Sequence, residues 1–418
     1  MNGIIIIGAG IAGLTLALSL HAKGLRVRVI EAAPNLQPLG VGINIQPYAT
    51  RVLSELGLLE TLQRQAITTQ EMVFFNRYGQ RIYSLPLGLN AEHDYPQLSI
   101  HRGVLQNTLL EAAYERLGPD FLITGHSLLS ASQDQHSVKA RLRDNSAHGV
   151  EREIVCDALI GADGVNSSVY RALYPEGPHI TPTGVHMWRG VSVAPKFLSG
   201  ASMVRVGVPE HGKLVIYPIR DNVNAQGDQL INWVAELDTR LFESLPGFCV
   251  KSASDFTQFF ASRVFDWLDI PQLLKQTSQP IIQMPMADRD PLPQWRSGRM
   301  TLIGDAAHPM VPVGSNGAGQ AILDACCLAR NLAQHCSIEE AFASYEDARR
   351  QHTSAIVLGD RQDLPDQLIT EVDSRSKGMP FTSLDSLMSV QEAHRLAIPD
   401  YHSVLLSTSA PPRVATPA

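Results

Sequence analysis

The chain of 418 residues has little cysteine, no excess of positive charge and no long apolar run. Its five cysteines show no metal-ligand spacing, so we expect no metal site, only small buried thiols of a reduced, cytoplasmic protein. These cysteines occupy positions 156, 249, 326, 327 and 336. The net charge of −7 gives no footprint for nucleic acid. Because no stretch of about eighteen residues is continuously apolar, we expect no membrane span.

The apolar N-terminus, residues 1–20, superficially resembles a signal peptide. It lacks a basic leading region, and a second strand follows it where a cleavage site would be needed. We therefore interpret it as part of the fold. Internal repeats are also absent from the sequence, and the length predicts two to three domains.

The N-terminal segment carries a glycine fingerprint between two predicted strands. The run Ile4–Ile7 is typical of a parallel strand buried on both faces. Gly8 permits a tight turn, Gly10 lets the backbone approach a pyrophosphate, and Gly13 lets the following helix pack closely. We count Ala12, inside the same turn, among the cofactor-binding residues.

A carboxylate completes that fingerprint. Glu31 follows the second strand, about twenty residues after the glycines, where an acid binds a ribose 2′-hydroxyl. Because Glu31 would repel a phosphorylated ribose, the site favours the adenosine half of FAD or NAD over NADP.

A second glycine-rich loop lies far along the chain, in the segment MTLIGDAAHPMVPVGSNGAGQAILD. A short apolar strand, residues 300–303, leads into Gly304 and Asp305, and an amphipathic helix begins after Gly314 to Gly319. Backbone N–H groups at a helix N-terminus favour negative charge. Taken alone, the loop is equally compatible with an ordinary strand-to-helix connection.

Helical and strand-like patterns alternate along the chain rather than forming separate blocks. This predicts an α/β fold with a doubly wound, Rossmann-like nucleotide domain, an interleaved and largely antiparallel β-sheet substrate domain, and C-terminal helices. A ligand is expected in the crevice between the two domains. The predicted segments are the nucleotide domain at 1–71, 101–178 and 285–345, the substrate domain at 72–100 and 179–284, C-terminal helices at 346–404, and a disordered tail at 405–418.

Three motifs in this order resemble the group A flavoprotein aromatic hydroxylases. They are Gly8-x-Gly10-x-x-Gly13, Gly161-Ala162-Asp163-Gly164 and Gly304-Asp305-Ala306-Ala307-His308-Pro309. The resemblance covers roughly residues 1–355. Within that family, GVGINIQP, IHRGVLQ, MWRGV and MADRDPLPQW look most like the bacterial phenazine-carboxylate hydroxylase branch.

The resemblance implies how FAD is held. Asp305 should bond the ribitol and Glu31 the adenosine ribose, while Arg102 matches an arginine that contacts FAD. Asp163 belongs to a motif associated with both FAD and nicotinamide contacts. Its blander alternative is a turn cap, because Asp-Gly is common turn chemistry.

The flavin ring is expected at the second glycine-rich loop. The resemblance places N–H groups near Asn316, Gly317 and Ala318 at the N1–C2=O edge, where reduced flavin gathers negative charge. Pro312 takes the position near the reactive face of the flavin. Gly304 and Gly314 complete the predicted cofactor-binding residues.

One arginine departs from the family pattern. The family usually follows its second motif with S-x-V-R, but this chain has Tyr170 there and Arg171 one position later. One position is about 100° around a helix. The role of that arginine in binding reduced nucleotide is therefore not transferred to Arg171. His308 is a candidate base, although ordering its loop is the simpler role.

Candidate substrate contacts lie on predicted strands. Trp188, Arg189 and Tyr217 are the candidates, and we assign Tyr217 and Pro312 to catalysis. Neighbouring strand residues point to opposite faces, so only one of Trp188 and Arg189 should line the site. The two aromatic residues could equally fill the core. Arg189 could pair with an aromatic carboxylate or, more simply, form a surface salt bridge.

The sequence therefore predicts an FAD-dependent monooxygenase that uses NADH or NADPH and O2 to hydroxylate a planar aromatic or N-heteroaromatic acid. The resemblance implies a flavin C4a-hydroperoxide and allows loss of the carboxylate. Only one nucleotide fingerprint is present, so NAD(P)H is expected to approach transiently. A flavin reductase without oxygen insertion and a non-catalytic flavin-binding redox sensor are the alternatives. The protein is expected to be a monomer or homodimer.

Overall fold

The architecture was determined from a computed structural model, which describes residues 3–37, 40–146, 149–244, 257–278, 280–362 and 366–398. Twenty-one strands are present in these ranges. They are β1 Ile4–Ile7, β2 Val27–Ile30, β3 Gly42–Ile45, β4 Ile67–Thr69, β5 Glu71–Phe75, β6 Arg81–Pro86, β7 Gln97–His101, β8 Leu122–Ile123, β9 His126–Gln133, β10 Val138–Asp144, β11 Glu151–Cys156, β12 Ala158–Gly161, β13 Thr181–Ala194, β14 Ser202–Val206, β15 Lys213–Arg220, β16 Gln229–Asp238, β17 Val264–Phe265, β18 Leu268–Asp269, β19 Ile282–Asp288, β20 Arg296–Ser297 and β21 Met300–Leu302.

Eleven α-helices with both ends inside the described ranges connect or cover these strands. They are α1 Ile11–His21, α2 Pro47–Glu55, α3 Leu59–Gln63, α4 Arg102–Leu117, α5 Ser168–Leu173, α6 Thr239–Ser244, α7 Ile270–Lys275, α8 Gly317–Gln334, α9 Ile338–Gln362, α10 Gln367–Arg375 and α11 Val390–Ala397.

The first layer is a six-stranded sheet in the order β20-β21-β12-β1-β2-β8. Strand β1 occupies its centre and pairs in parallel with β12 and β2. Its four isoleucines are all buried, because helices cover both faces of a parallel sheet. The glycine turn between β1 and α1 thus lies at the carboxyl edge of the sheet, where doubly wound folds bind ligands.

The second layer is a seven-stranded sheet in the order β19-β13-β16-β15-β14-β5-β6. All its pairings are antiparallel except β14 with β5. The β5–β6 hairpin comes from the first quarter of the chain, whereas the other strands come from residues 181–288. The expected α/β fold with an interleaved sheet is therefore confirmed.

Two details differ from the sequence prediction. The apolar pattern over residues 154–160 predicts a single strand, and this prediction is wrong, because β11 ends at Cys156 and β12 begins at Ala158 in another sheet. Asp157 between them accepts the backbone N–H of Gly3 at 2.9 Å. Hydrophobic pattern alone does not reveal such a switch between sheets, since both pieces are apolar. In addition, β7, which begins in the predicted segment 72–100 and ends at His101, pairs with β3 and β4 and not with the large sheet.

The C-terminal helices pack against the outer part of the large sheet. Leu368, Ile369 and Val372 of α10 are buried in one cluster with Phe74 of β5 and Ile82 of β6. This cluster fixes the position at which α10 begins, next to the seven-stranded sheet. The predicted disordered tail lies outside the described residues, and the domain boundaries stay a prediction.

Candidate active site

A cleft of about 290 Å³ lies between the two layers. One wall comes from the glycine turn, α4 and the segment 304–318, which we call the flavin loop because the sequence predicts the flavin ring there. The opposite wall comes from strands β13 to β16. The lining residues are Gly10, Ile11, Ala12, Ile43, Asn44, Arg102, Ala162, Gly164, Arg189, Met203, Arg205, Val215, Tyr217, Val234, Glu236, Asp305, Met310, Val311, Pro312, Val313, Ser315, Gly317, Ala318 and Ala321.

The glycine turn has the geometry that the fingerprint requires. Gly8 has φ of +103°, and a Cβ there would lie 2.5 Å from the carbonyl oxygen of Ala162. A Cβ at Gly13 would lie 1.9 Å from the carbonyl oxygen of Gly8, so only glycine lets α1 approach the turn this closely. A Cβ at Gly10 would meet no atom within 4 Å, which leaves open space beside the backbone for a ligand.

Two side chains hold this turn from outside. Glu31 accepts the backbone N–H of Ala9 at 2.7 Å, which places its carboxylate beside the glycines. Gln106 of α4 donates to the carbonyl oxygen of Ala9 at 2.9 Å. The sequence signal for Gln106 was only its place in IHRGVLQ.

Asp305 lies in the short 3₁₀ turn Gly304–Ala306 and lines the cleft. Solvent reaches its carboxylate through the cleft, but protein atoms surround it on the other sides. Burial raises the pKa of Asp305, and His308 and Arg102 partly oppose that rise. The exposed side chain of Arg102 lines the same part of the cleft.

His308 orders the flavin loop through Asp324 of α8. Its Nε2 contacts the Asp324 carboxylate at 2.5 Å, and the same carboxylate accepts the Gly304 N–H at 3.0 Å. Arg349 of α9 binds the other Asp324 oxygen at 2.8 Å. All three side chains are buried, so this contact favours the ordering role of His308 over the role of base.

The flavin loop enters α8 through a left-handed residue, Ser315, with φ of +56°. Asn316 is the N-cap of α8, and its side-chain oxygen accepts the Tyr48 hydroxyl at 3.1 Å. Gly317 and Ala318 follow at the cleft wall. The N-terminus of an eighteen-residue helix therefore faces the cleft, where it favours negative charge.

The second motif, Gly161-Ala162-Asp163-Gly164, is a capped turn in which one oxygen of the Asp163 carboxylate has no protein partner. Asp163 accepts both the N–H and the hydroxyl of Ser168 at 2.6 Å through one oxygen. Its other oxygen is buried without a protein partner, which leaves an acceptor for a bound ligand. Capping and ligand binding are thus compatible at this residue.

Arg171 does not line the cleft, as its displacement by one position from the family pattern suggested. It is exposed and donates to the carbonyl oxygen of Asn166 at 2.6 Å. Tyr170 is buried instead, with the Arg289 guanidinium 3.7 Å from its ring centroid. Arg289 also donates to the carbonyl oxygens of Val165 and Ala306, so it ties the second motif to the flavin loop.

The strand residues divide between the two faces of the large sheet. Arg189 lines the cleft, but Trp188 is fully buried in the core on the other face and does not reach the cleft. Trp188 is therefore not a contact for a ligand in the cleft, contrary to its place among the predicted candidates. Arg189 forms no surface salt bridge with the described residues, and its guanidinium donates to the Gly42 carbonyl oxygen at 2.8 Å.

Tyr217 lines the cleft and also bonds Gly42. Its hydroxyl donates to the same carbonyl oxygen at 2.9 Å, and burial raises the pKa of this phenol. Asn232 accepts the Gly42 N–H at 2.7 Å. Three side chains of the large sheet thus clamp one glycine of β3, whose absent Cβ would lie 2.7 Å from the Asn232 side chain.

Sequence reasoning missed a set of four buried charges beside the cleft, Arg205, Lys213, Glu236 and Asp366. We call it the charge cluster. Arg205 and Glu236 interrupt apolar strand segments and Lys213 begins one, which was the available signal in the sequence. The partner Asp366 is distant in the chain, so the pairing could not be read from the sequence.

These features fit a flavin dinucleotide. The open backbone at Gly10 suits a pyrophosphate, and the Asp305 carboxylate lines the cleft, where a cofactor hydroxyl would reach it. Glu31 lies beside the glycine turn; its two oxygens accept the N–H groups of Ala9 and Ala33 and keep further lone pairs for a ribose hydroxyl. The N-terminus of α8 suits a flavin edge that becomes negative on reduction.

The FAD binding domain family matches residues 2–359. The chain belongs to this family.

Relatives narrow the class further. A phenazine 1,6-dicarboxylic acid hydroxylase of Lysobacter antibioticus is 42% identical over 362 residues, covering 86% of this chain and 89% of the relative. A 3-hydroxybenzoate 6-hydroxylase of Polaromonas naphthalenivorans is 31% identical over 371 residues, covering 86% of each. The chain is thus an FAD-dependent aromatic hydroxylase, as the sequence predicted.

Solved structures support the fold. The crystal structure of Klebsiella pneumoniae HpxO with FAD and uric acid matches with a TM-score of 0.73 at 20% identity, covering 97% of this chain and 95% of that one.

In the described ranges of the hydroxylase, no helix is long and apolar enough to cross a membrane. Those ranges also hold no cluster of potential metal ligands. The four cysteines among them are unpaired, while Cys249 lies outside them.

Proposed function

We propose that this hydroxylase acts on a planar aromatic or N-heteroaromatic carboxylic acid, of the phenazine or salicylate type, with NADH or NADPH and O2 as co-substrates. The observation that carries this proposal is Arg189, a guanidinium on the cleft wall with no carboxylate partner among the described residues. A planar fork of this kind suits a carboxylate bound through two hydrogen bonds.

The rest of the wall suits an aromatic ring. Met203, Val215 and Val234 are apolar, buried and directed into the cleft. They exclude water from the side where an oxygen atom must be transferred. Tyr217 presents its phenol at the same wall, and its oxygen can still accept a hydrogen bond after donating to Gly42.

FAD, when bound and reduced by NAD(P)H, supplies the oxygen chemistry. Glu31, Asp163, Arg102 and Asp305 are the side chains that would hold it, together with N–H groups at Asn316 to Ala318. Pro312 begins the turn that faces the substrate wall. The contribution of the protein is to bind and orient the ring against that turn and to keep water out.

The relatives support an acid substrate, since one is a phenazine 1,6-dicarboxylic acid hydroxylase and another is a 3-hydroxybenzoate 6-hydroxylase. The test is a screen of phenazine, salicylate-like and nicotinate-like acids, following NAD(P)H oxidation, O2 uptake and the hydroxylated product by mass spectrometry. Product mass also decides whether the carboxylate is retained. NAD(P)H oxidation without any hydroxylated product would instead favour the reductase.

Arg189→Leu tests the carboxylate contact directly. Loss of a hydrogen bond to a charged group costs about 1.5–3 kcal/mol, so KM should rise roughly tenfold to a hundredfold while kcat changes less. The fold should survive, since the Gly42 carbonyl oxygen keeps its bond from Tyr217. Arg220→Leu, at the exposed end of β15, is the matched control. An unchanged KM in Arg189→Leu would remove the acid site from this wall.

A further inference from the structure

The charge cluster joins the large sheet to the C-terminal region. Arg205 lies on β14, Lys213 on β15 and Glu236 on β16, while Asp366 directly precedes α10. None of the four exposes more than 6% of its side chain. Asp366 lies beyond residues 2–359, the part of the chain that the FAD-binding family matches.

Asp366 bonds both cations of the cluster. One carboxylate oxygen accepts from Arg205 at 2.9 Å, and the other contacts the Lys213 ammonium at 2.5 Å. Lys213 also binds Glu236 at 2.6 Å. Burial favours the neutral form of Asp366, but Lys213 and Arg205 outweigh it and hold the pKa of this carboxyl below its ordinary value.

Such a neutral set of two cations and two carboxylates is weak evidence for stability. The free energy lost by removing these charges from water is about as large as the free energy gained from their attraction. Well-packed apolar residues at such positions often give equal stability. A function at the cleft explains the cluster better, since Arg205 and Glu236 both reach the cleft wall.

Arg205 connects the cluster to the flavin loop. One of its terminal nitrogens binds Asp366, and the other donates to the carbonyl oxygen of Val313 at 2.6 Å. Val313 is the middle residue of the 3₁₀ turn Pro312–Gly314, which lines the cleft. The planar guanidinium therefore fixes this turn relative to α10, because both of its terminal nitrogens are engaged at once.

We propose that Asp366 is a positioning residue that, through Arg205, holds the Pro312–Gly314 turn in place against the bound flavin and keeps oxygen transfer coupled to substrate. This rests on the proposed function. In the coupled reaction, ArH, NAD(P)H, H⁺ and O2 give ArOH, NAD(P)⁺ and H2O. In the uncoupled reaction, NAD(P)H, H⁺ and O2 give NAD(P)⁺ and H2O2. A displaced turn shifts turnover from the first reaction to the second.

The test uses the FAD-loaded full chain with Asp366→Asn and Arg205→Lys. The first variant removes the charge that orients Arg205. The second keeps the positive charge but lacks the fork that binds Asp366 and Val313 together. Arg375→Gln, which breaks an exposed ion pair with Glu371 and Glu392 on α10 and α11, is the control.

We expect both cluster variants to bind FAD within threefold of the unmodified protein, and to show a shifted visible absorption spectrum of the bound oxidised flavin. Product formed per NAD(P)H should fall at least threefold, with H2O2 rising to match, and the control should show neither change. If Asp366→Asn does not fold, Arg205→Lys decides alone, because it leaves the charge balance intact.

A lower thermal stability with unchanged spectrum and unchanged product per NAD(P)H would overturn the proposal and leave the cluster as structural only. If no aromatic acid gives product even with the unmodified protein, the proposed function fails. The flavin spectrum then still decides whether Asp366 positions the turn.

Discussion

At the scale of single residues, Asp305 and Asp324 show how position controls a carboxylate within one loop-and-helix unit. Asp305 faces the cleft, where burial raises its pKa. Asp324, by contrast, is fully enclosed by protein, but His308 and Arg349 outweigh this burial and lower its pKa to about 2. The first carboxylate is therefore available for a ligand, while the second is an ionised anchor for the loop.

Asp305→Ala should weaken FAD binding with little effect on the fold of the FAD-free protein. The lost hydrogen bond to a cofactor hydroxyl is worth about 1.5–3 kcal/mol, or roughly tenfold to a hundredfold in the dissociation constant. Flavin fluorescence titration measures this constant. Asp347→Ala, exposed on α9, is the control. Unchanged FAD affinity in Asp305→Ala would remove its proposed ribitol contact.

Asp324 should make stability depend on acid pH. Its folded-state pKa lies below the ordinary value of 3.8, so its contribution is fully present above about pH 4 and is lost as pH falls towards 2. The shift corresponds to about 2 kcal/mol. Urea unfolding of the unmodified protein and of Asp324→Asn across this range should show their stability difference shrinking as pH falls. A difference that stays constant with pH would contradict the lowered pKa.

At the scale of elements, the β1–turn–α1 unit contains one glycine in close packing and one beside open space. A Cβ at Gly13 would strike the Gly8 carbonyl oxygen, whereas a Cβ at Gly10 would meet nothing within 4 Å. The two positions are only three residues apart and belong to one motif. Their different surroundings give them different roles.

Gly13→Ala should lower both stability and FAD affinity, because overpacking at a close helix contact costs about 1–3 kcal/mol. Gly10→Ala should leave the unfolding midpoint of the FAD-free protein unchanged and weaken FAD binding, since the new methyl group occupies space needed by the pyrophosphate. Thermal unfolding and FAD titration of both variants measure this split. Loss of stability in Gly10→Ala would show that its role is packing.

At the scale of the whole molecule, the cleft is formed by parts that are far apart in the chain. Gly42 of β3 is clamped by Arg189, Tyr217 and Asn232 of the large sheet. A ligand that spans the cleft therefore contacts both layers, and its binding energy adds to the stability of their association.

FAD should accordingly raise the unfolding temperature of the whole chain. At a concentration about one hundred times its dissociation constant, a ligand that binds only the folded state adds about 2.7 kcal/mol. Differential scanning calorimetry with and without FAD measures the shift, and Gly10→Ala should show a smaller one at equal FAD. An FAD effect confined to one of several unfolding transitions would indicate that the layers unfold independently.

The sequence by itself determined the local geometry of the glycine turn between β1 and α1. Gly8, Gly10 and Gly13 act through backbone conformation and close approach, and the adjoining strand and helix have strong periodic patterns. The order of the three glycine-containing motifs was likewise enough to identify the family. These properties depend on neighbours within a few residues, which a sequence displays directly.

Only the tertiary structure decided which strand side chains face the cleft. Strand residues alternate faces, so a shift of one residue exchanges Trp188 for Arg189, and burial in the core settled that choice. The pairing of Arg205 with Asp366 joins residues 161 positions apart. Contacts of that kind form when separate elements pack together. The local sequence around one charged residue does not show which distant residue will pair with it.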